Sequence, residues 1–259
     1  MLNYKSVNII TVVASLVLLF TSYFYKWSLW PLIIVLAIIW FLVTTAGSFF
    51  VKWNYHLKSL HSNKIIKENR IAITFDDGPH PEFTPKVLEL LKKYNAKATF
   101  FCVGKHIEAY PNVFKEIIKH GHTVGNHTYT HANNFGFFKT KKVIDELQKT
   151  NAVVKSIEGL TMQLYRPAFG VTNPRIKKAI KLVGLQSIGW NIRSLDTTSR
   201  TPKMIFNRIT KKLSKGDVIL LHDTSLKTIT VLERLLLFLQ KQNMESVTID
   251  SLFNIKAYA

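Results

Sequence analysis

The chain has 259 residues, which is enough for one large domain with a sizeable hydrophobic core. Its formal charge is +19, from 35 Lys and Arg against 16 Asp and Glu. This excess suits either an anionic partner or a solvated Lys-rich surface, but no aromatic-interleaved basic block occurs, so we expect no nucleic-acid partner. The single cysteine, Cys102, excludes an internal disulfide and is expected to be a core thiol.

Two uncharged apolar runs open the chain, at 6–25 and 27–51. Each reaches the ~20 residues that an α-helix needs to cross the hydrocarbon layer, and Tyr and Trp residues near the run ends are typical of membrane interfaces. We predict a membrane anchor over 1–53, with transmembrane helices at about 6–25 and 28–51. A cleaved signal peptide fits poorly, because the second run follows the first at once.

The basic residues around these runs predict an orientation. Five of them follow the second run closely: Lys52, Lys58, Lys64, Lys67 and Arg70. Only Lys5 precedes the first run and only Lys26 lies between the two. The positive-inside rule then places both termini in the cytoplasm of a bacterium, with the lipid bilayer as a partner. A basic catalytic domain inflates this count, so the side of the membrane stays open at this point.

After a polar linker at 54–69, strand-like and helix-like segments alternate. Strands are predicted at 71–75, 97–103, 122–126, 163–166, 185–190, 217–221 and 245–249. Helices are predicted at 84–94, 111–120, 139–157, 173–183, 203–213 and 226–242. Short apolar strands that alternate with helices indicate a parallel sheet covered on both faces, either a barrel or a doubly wound sheet.

Polar residues follow most of the predicted strands, where parallel α/β folds collect their reactive groups. In chain order these residues are Asp76 and Asp77 in "TFDDG", His127 and His131 in "NHTYTH", Arg166 in "RPAFG", Arg193 and Asp196 in "NIRSLDT", and His222 and Asp223 in "LHD". We expect them to meet on one rim, with Asp223 more suited to a structural hydrogen bond.

The adjacent carboxylates of Asp76 and Asp77 repel each other, and a bound cation would relieve that repulsion. His127 and His131 are four residues apart, so on a helical turn both imidazoles would project from one face. Two imidazoles and one carboxylate form a metal site that leaves positions open for water and substrate. Taken alone, the histidine pair also fits surface or core histidines.

The motifs "TFDDGP", "HTYTH", "RPAFG", the Asp196 segment and "ILLHD" resemble those of the polysaccharide deacetylase family in order and approximate spacing. This is the NodB-homology domain, or carbohydrate esterase family 4. The resemblance covers about 69–250, and we place the catalytic domain at 70–259. It implies a distorted parallel (β/α)7-type barrel and metal-dependent removal of acyl groups, usually acetyl, from N-acetylated sugars.

The resemblance also implies residue roles. Asp77, His127 and His131 would be ligands of a divalent metal, typically Zn²⁺, with Co²⁺, Mn²⁺ or Ni²⁺ as alternatives. The other implied roles are Asp76 as general base, Arg166 as its orienting partner, His222 as general acid, Asp196 as the carboxylate that tunes it, the backbone N–H of Phe169 as an oxyanion donor, and Ile219 and Leu221 as the apolar wall of the acyl pocket.

One motif departs from the family, whose fourth motif is commonly Asp-x-x-Asp-Trp. The corresponding residues here are Arg193, Asp196 and Thr197. The tuning carboxylate is present, but Arg193 replaces a carboxylate and the aromatic residue is missing. Arg193 either meets an anionic group of the substrate, such as a phosphate, or pairs with a local acid.

Four functions remain at this stage. The first is a membrane-anchored hydrolase that removes N-acetyl groups from amino sugars of a cell-envelope polysaccharide or peptidoglycan. The second acts on a lipid-linked amino sugar as a deacetylase or deformylase, and the third is an O-acetyl esterase. The fourth is an inactive glycan-binding membrane module, which is disfavoured because every acid, base and ligand position is filled. No obligate protein partner is indicated.

Overall fold

A computed structural model describes residues 3–259. The helices of this part of the chain are α1 Tyr4–Tyr25, α2 Trp30–Phe49, α3 Phe83–Lys93, α4 Gly104–Ala109, α5 Pro111–Lys119, α6 Thr140–Glu158, α7 Pro174–Val183, α8 Pro202–Thr210, α9 Leu226–Lys241 and α10 Ile249–Phe253. The strands are β1 Arg70–Asp76, β2 Ala98–Cys102, β3 Thr123–Asn126, β4 Leu164–Tyr165, β5 Gln186–Ser187, β6 Ile192–Arg193, β7 Val218–His222 and β8 Glu245–Ser246.

The first two helices form a hairpin that is apolar on all sides. Both are long and apolar enough to cross a membrane. Large side chains on both point outward, such as Phe20 at 65% and Leu42 at 59% exposure. A polar contact joins the two helices, since Trp40 Nε1 donates to Asn8 Oδ1 at 2.8 Å. The second helix ends at Phe49, two residues before the predicted end, and a 3-10 helix at Val51–Trp53 follows.

Seven strands form a curled parallel sheet in the order β5-β4-β3-β2-β1-β7-β6, and β8 pairs with the first residues of β1. The predicted distorted (β/α) barrel is therefore confirmed. All pairings between these strands are parallel, so their C-terminal ends meet at one rim. The central strand ends at Asp76, directly beside His222 at the end of β7.

Alternation along the strands separates two apolar regions. Ile73 and Phe75 face outward and pack in the cluster between the sheet and its helices. Ala72 faces inward and packs with Phe101 and Val218 inside the curled sheet. Cys102 is fully buried in the outer cluster, as expected for a core thiol. The period of two residues thus decides which side chains of each strand approach the rim from inside.

The segment predicted as a polar linker packs against the barrel over its first half. Tyr55, Leu57 and Ser59 are 3%, 9% and 2% exposed. Leu60 pairs in parallel with Ile188, and its N–H donates to the Ser187 carbonyl at 3.0 Å. The apolar hairpin is therefore joined to the barrel by a fixed contact along the β5 edge.

Several short elements differ from the sequence predictions. The strand expected at 185–190 is reduced to the two residues of β5, and β6 lies beyond its predicted end. The segment expected at 245–249 pairs only over two residues before α10 begins. The six-residue helix α4 was not predicted. Elements of two to six residues carry too little periodicity to be recognised, because their form depends on the neighbours they contact.

Candidate metal centre and active site

The two adjacent aspartates point into one site because the backbone changes conformation between them. Asp76 is the last residue of β1, and its side chain lies on the inner face beside Thr74 and Arg166. Asp77 has φ 75°, in the left-handed region that a side chain rarely adopts. Because successive strand residues normally point to opposite faces, this turn is what brings the second carboxylate to the same rim. Backbone strain of this kind clusters at functional sites.

Asp77, His127 and His131 form a cluster whose ligand atoms all lie within 4.8 Å of one another. Asp77 Oδ1 is 3.4 Å from the Nε2 atom of His127 and 3.4 Å from that of His131. Two donors bound tetrahedrally at about 2.0–2.1 Å lie roughly 3.4 Å apart, so these separations fit a divalent ion of zinc size. The predicted cluster therefore comes together with a suitable donor set.

The histidine pair does not sit on a helical turn, contrary to the sequence prediction. Residues 127–131 form an irregular loop in which Thr128 and His131 have φ 66° and 49°. Thr128 caps no helix; its Oγ1 accepts the His131 N–H at 3.1 Å. Asn126 Oδ1 in turn accepts the Thr128 N–H at 2.9 Å. These local hydrogen bonds replace the helical ladder, and the two rings still lie 4.8 Å apart.

A buried glutamate that the sequence analysis missed holds the middle of this loop. Glu146 on α6 accepts the backbone N–H groups of Tyr129 and Thr130 at 3.0 and 2.7 Å, and also the Thr130 hydroxyl. Its side chain is mostly buried, with the residue 8% exposed. A lone acid on the apolar face of a predicted amphipathic helix is the signal that would have identified it.

Hydrogen bonds to two backbone carbonyls hold the cluster in its orientation. His127 Nδ1 lies 3.0 Å from the Arg166 carbonyl oxygen, which only accepts, so Nδ1 carries the hydrogen and the Nε2 lone pair faces Asp77. On the other side, His106 Nδ1 donates to the Asp77 carbonyl at 2.8 Å. Such outer contacts fix ligand tautomer and direction, and sequence spacing gave no sign of the His106 contact.

Asp76 is 4% exposed and is paired with Arg166, which is fully buried. Arg166 NH1 donates to Asp76 Oδ1 at 3.0 Å and to the Thr74 hydroxyl at 2.9 Å. Its guanidinium lies between the rings of Phe101 and Trp190, at 4.2 and 5.3 Å from their centres. Trp190, half-buried, therefore lines the inner wall beside the base. The arrangement fixes one oxygen of Asp76 and leaves Oδ2 facing the cluster, 3.9 Å from His127 Nε2.

His222 and Asp196 form a second pair across the rim. His222 Nδ1 donates to Asp196 Oδ1 at 2.8 Å, and Asp196 also accepts the His222 N–H and the hydroxyls of Ser194 and Thr228. Burial alone would lower the pKa of His222, but the Asp196 hydrogen bond and the nearby aspartate charges outweigh it and raise the pKa to about 9. The imidazole is therefore a protonated group near neutral pH.

In the Asp77–His127–His131 cluster, burial and neighbouring charge favour the opposite protonation state from that of His222. Burial lowers the pKa of His131 to about 4, with a further contribution from His127. Burial opposes ionisation of Asp77, but the interactions with His127, His131 and His222 outweigh it and hold the pKa of that carboxyl well below its usual range. Neutral imidazole and ionised carboxylate are the forms that bind a metal.

Phe169 borders the cluster on the β4 side. Its ring centre is 4.4 Å from that of His131, the residue is 46% exposed, and its φ of 56° is again left-handed. Within residues 3–259 its backbone N–H donates to no acceptor. It remains a candidate oxyanion donor, as the resemblance implied.

The expectation that Ile219 and Leu221 line the acyl pocket is wrong. Both are fully buried in the outer cluster, between the sheet and the helices. Leu220 pairs with Thr74 and His222 pairs with Asp76, so Leu220 is the residue on the inner face below the site. The assignment came from the family resemblance, and a continuous apolar strand shows no alternation in its sequence that would have corrected it.

Arg193 is exposed and lies next to Leu220 in the pairing of β6 with β7. No carboxylate within residues 3–259 lies within 4.0 Å of its side chain, so the pairing with a local acid does not form. Asp223 has the expected structural role, since it accepts the Thr84 hydroxyl while fully buried.

Comparison with known proteins agrees with this geometry. A sequence model of the polysaccharide deacetylase family matches residues 63–188. A peptidoglycan-N-acetylglucosamine deacetylase of Bacillus cereus is 35% identical over 194 residues, which cover 73% of this chain and 90% of that protein. This chain belongs to the polysaccharide deacetylase family.

Further similarities support the same family. The peptidoglycan-N-acetylglucosamine deacetylase PgdA of Listeria monocytogenes is 34% identical over 187 residues, 72% of this chain but only 39% of that longer protein. A crystal structure of a peptidoglycan N-acetylglucosamine deacetylase, in complex with 4-naphthalen-1-yl-N-oxidanyl-benzamide, superposes with a TM-score of 0.72 at 30% identity, covering 77% of this chain and 94% of that one. The family resemblance drawn from the motifs is thereby confirmed, and with it the enzyme class.

Proposed function

We propose that this polysaccharide deacetylase is a membrane-anchored hydrolase that removes N-acetyl groups from amino sugars of the cell envelope. The observation that carries the proposal is the juxtaposition of three units on one rim. These are the Asp77–His127–His131 cluster, the Asp76–Arg166 pair and the Asp196–His222 pair. The family relatives, named for deacetylation of peptidoglycan N-acetylglucosamine, support an envelope glycan as the substrate class.

Asp77, His127 and His131 would hold one divalent ion, and the two nitrogens and one oxygen favour Zn²⁺, with Co²⁺, Mn²⁺ and Ni²⁺ as alternatives. The ion, when bound, would polarise the acyl carbonyl and lower the pKa of a coordinated water. Loop 127–131 and its contacts to Glu146 and Asn126 keep the imidazoles in place for this ion.

The remaining chemistry belongs to side chains of this chain. Asp76 accepts a proton from the attacking water through Oδ2, because Arg166 already occupies Oδ1. The water oxygen bonds to the acyl carbon, and the bond from that carbon to the sugar nitrogen breaks. The His222 imidazolium gives its proton to the departing amine, which leaves acetate and a free amino sugar. The Phe169 N–H stabilises the negative oxygen that develops on the acyl group.

Base and acid need opposite protonation states at the same pH. Arg166 keeps Asp76 paired with a positive charge, while Asp196 keeps His222 protonated. Two carboxylates in different surroundings thus support two roles. The test is acetate release from N-acetylated chitotetraose by the purified full-length protein, with Asp76→Asn and His222→Gln as variants. The proposal predicts loss of activity in both with metal content unchanged, and full activity in either would overturn these roles.

We infer that Arg193 has a separate role in substrate binding. No carboxylate pairs with its side chain within residues 3–259, and it lies beside Leu220 on the inner side of the rim. An anionic substituent of the substrate, such as a phosphate, is the group that it would bind. Arg193→Ala should raise KM for a substrate with that substituent while leaving KM for a neutral oligosaccharide unchanged. Equal effects on both substrates would contradict this role.

The hairpin of α1 and α2 is proposed as the membrane anchor, because its large apolar side chains point outward instead of forming a core. The excess of basic residues after α2 favours the cytoplasmic side for the catalytic domain. Reporters that are active only inside or only outside the cytoplasm, fused after Ala259, test this orientation. An active outside reporter would contradict the cytoplasmic placement.

A further inference from the structure

A cavity of about 410 Å³ lies between the end of the second apolar helix and the active-site rim. Thr45, Ser48 and Phe49 of α2 form one wall, and Gly136, Phe137 and Phe169 are on the other side. Its size falls in the range of about 300–1,000 Å³ that is typical of small-molecule sites. The catalytic roles assigned above use only Phe169 among these residues.

The cavity is fixed in place by contacts from the end of α2 to the barrel and to the segment that follows the hairpin. The Thr172 N–H donates to the Ser48 carbonyl at 2.9 Å, and the Ser48 hydroxyl contacts His56 Nε2 at 3.0 Å. Gly47 lies against the Tyr55 ring so closely that a Cβ there would come within 2.3 Å of it. The end of α2 therefore cannot swing freely away from the rim.

The two ends of the cavity lead to different environments. At one end the wall of the cavity is Phe169, whose ring contacts that of His131, so this one side chain lies between the cavity and the metal cluster. At the other end lies the terminus of a helix whose apolar surface suits lipid, together with Phe49 and Phe137, which are 60% and 83% exposed. The cavity thus lies between the expected bilayer surface and the side chain of Phe169 that borders the reacting centre.

We propose that this cavity binds the apolar chain of a lipid-linked N-acetyl amino sugar, so that the enzyme deacetylates the sugar while it is still attached to its membrane lipid. The proposal rests on the deacetylase function above and specifies the form of its substrate. A soluble or fully polymerised glycan has no apolar segment to fill such a site. A chain lying along α2 enters it directly from the hydrocarbon layer.

The rim of the cavity carries a positive group suited to a phosphate linkage between lipid and sugar. Arg175 is exposed on α7, and its NH1 donates to the carbonyl of Phe137, a cavity residue. An arginine at this position offers its remaining N–H donors to a phosphate oxygen, which it binds with good directionality. The charge complements a phosphate-linked lipid but contributes nothing to a neutral glycolipid.

The test compares two substrates with the full-length protein in phospholipid nanodiscs. One substrate is polyprenyl-phosphate-linked N-acetylglucosamine in the same nanodiscs, and the other is soluble N-acetylated chitotetraose. Thr45→Trp fills the cavity from α2, Thr45→Ser keeps it open, and Ile39→Trp places the same ring on the exposed surface of that helix. Arg175→Gln removes the cation at the rim.

The lipid-linked sugar should be the better substrate, and Thr45→Trp should reduce its kcat/KM by about tenfold or more, since filled pockets discriminate at this level. The same variant should leave any activity on chitotetraose within about twofold, and Thr45→Ser and Ile39→Trp should match the wild type. Arg175→Gln should raise KM for the phosphate-linked substrate alone.

The outcomes separate the two proposals. Deacetylation of chitotetraose without preference for the lipid-linked sugar, or with no selective effect of Thr45→Trp, overturns the lipid site and leaves the deacetylase function standing. An unchanged KM in Arg175→Gln overturns the role of the cation. A metal-loaded protein that deacetylates neither substrate contradicts the proposed function itself.

Discussion

Replacing Asp196 with asparagine should change the pH dependence of the reaction more than its maximum rate. The side chain of Asp196 is enclosed by four donors, and its hydrogen bond to His222 Nδ1 is 2.8 Å long. Asparagine has a similar shape and still accepts the His222 N–H through its amide oxygen. The substitution therefore removes the negative charge that holds the proton on His222 and keeps the packing.

The size of the effect follows from the pKa of His222, which is raised to about 9. Without the carboxylate the pKa should fall to about the ordinary value of 6.5, because the remaining charges of Asp76 and Asp77 oppose the burial that disfavours the charged ring. At pH 8 the protonated fraction then drops from about 0.9 to about 0.03, a loss of roughly 30-fold. At pH 6 the same arithmetic gives a loss of less than about twofold.

A divalent ion at Asp77 would offset part of the negative charge near His222, so the 30-fold figure is an upper value. The assay is the pH profile of kcat/KM for wild type and Asp196→Asn at saturating metal, with acetate release as the readout. The ratio of the two should widen steadily from pH 6 to pH 8. A constant ratio across this range would refute the role of Asp196 as the group that keeps the acid protonated.

Four further substitutions test the positioning of the site. Arg166→Met should lower the free energy of unfolding by about 3–5 kcal/mol, because Asp76 stays buried without its cation; denaturant titration showing no loss would contradict this pair. Glu146→Gln should weaken metal binding by about 10–100-fold through the ligand loop, as measured by competition with a chelator, and unchanged affinity would exclude that support. Leu220→Ala should alter the preference between acetyl and bulkier acyl groups. Leu221→Ala should lower the free energy of unfolding by about 2–5 kcal/mol and leave that preference unchanged. The reverse pattern would show that Leu221, and not Leu220, lines the acyl pocket.

The rim was predictable because a parallel sheet gathers the ends of its strands at one edge. Asp76 and His222 follow apolar strands in the sequence, and the register places them side by side. That both residues lie on one rim could be predicted from the alternation of strands and helices alone. The same register would have corrected the acyl pocket, because Leu220 lies two residues before His222 and so shares its face.

The loop that carries the histidines was not predictable from spacing. An i, i+4 pair fits a helical turn, but the chain brings His127 and His131 together through left-handed residues instead. Glu146 stabilises that loop from a helix that follows it in the chain. Such long-range hydrogen bonds override local preference and leave no pattern within the loop itself.

The docking of the hairpin was missed for a related reason. The segment after α2 is mostly polar in composition, which is typical of a linker, yet Tyr55 and Leu57 are buried against the barrel and the hairpin. Burial of isolated apolar residues in a short segment depends on a partner surface that the segment does not encode. The docked end of α2 lines the cavity beside Phe169, so the position of the hairpin bears on the choice of substrate.

Metal dependence of acetate release is the most direct test of the account. The full-length protein is treated with a chelator and then titrated with Zn²⁺, in parallel with His131→Ala, which removes one ligand. We predict that acetate release from an N-acetyl amino sugar disappears on chelation and returns at one Zn²⁺ per chain, and that His131→Ala neither retains the ion nor recovers activity. Full acetate release from the metal-free protein, or recovery in His131→Ala equal to the wild type, would contradict it.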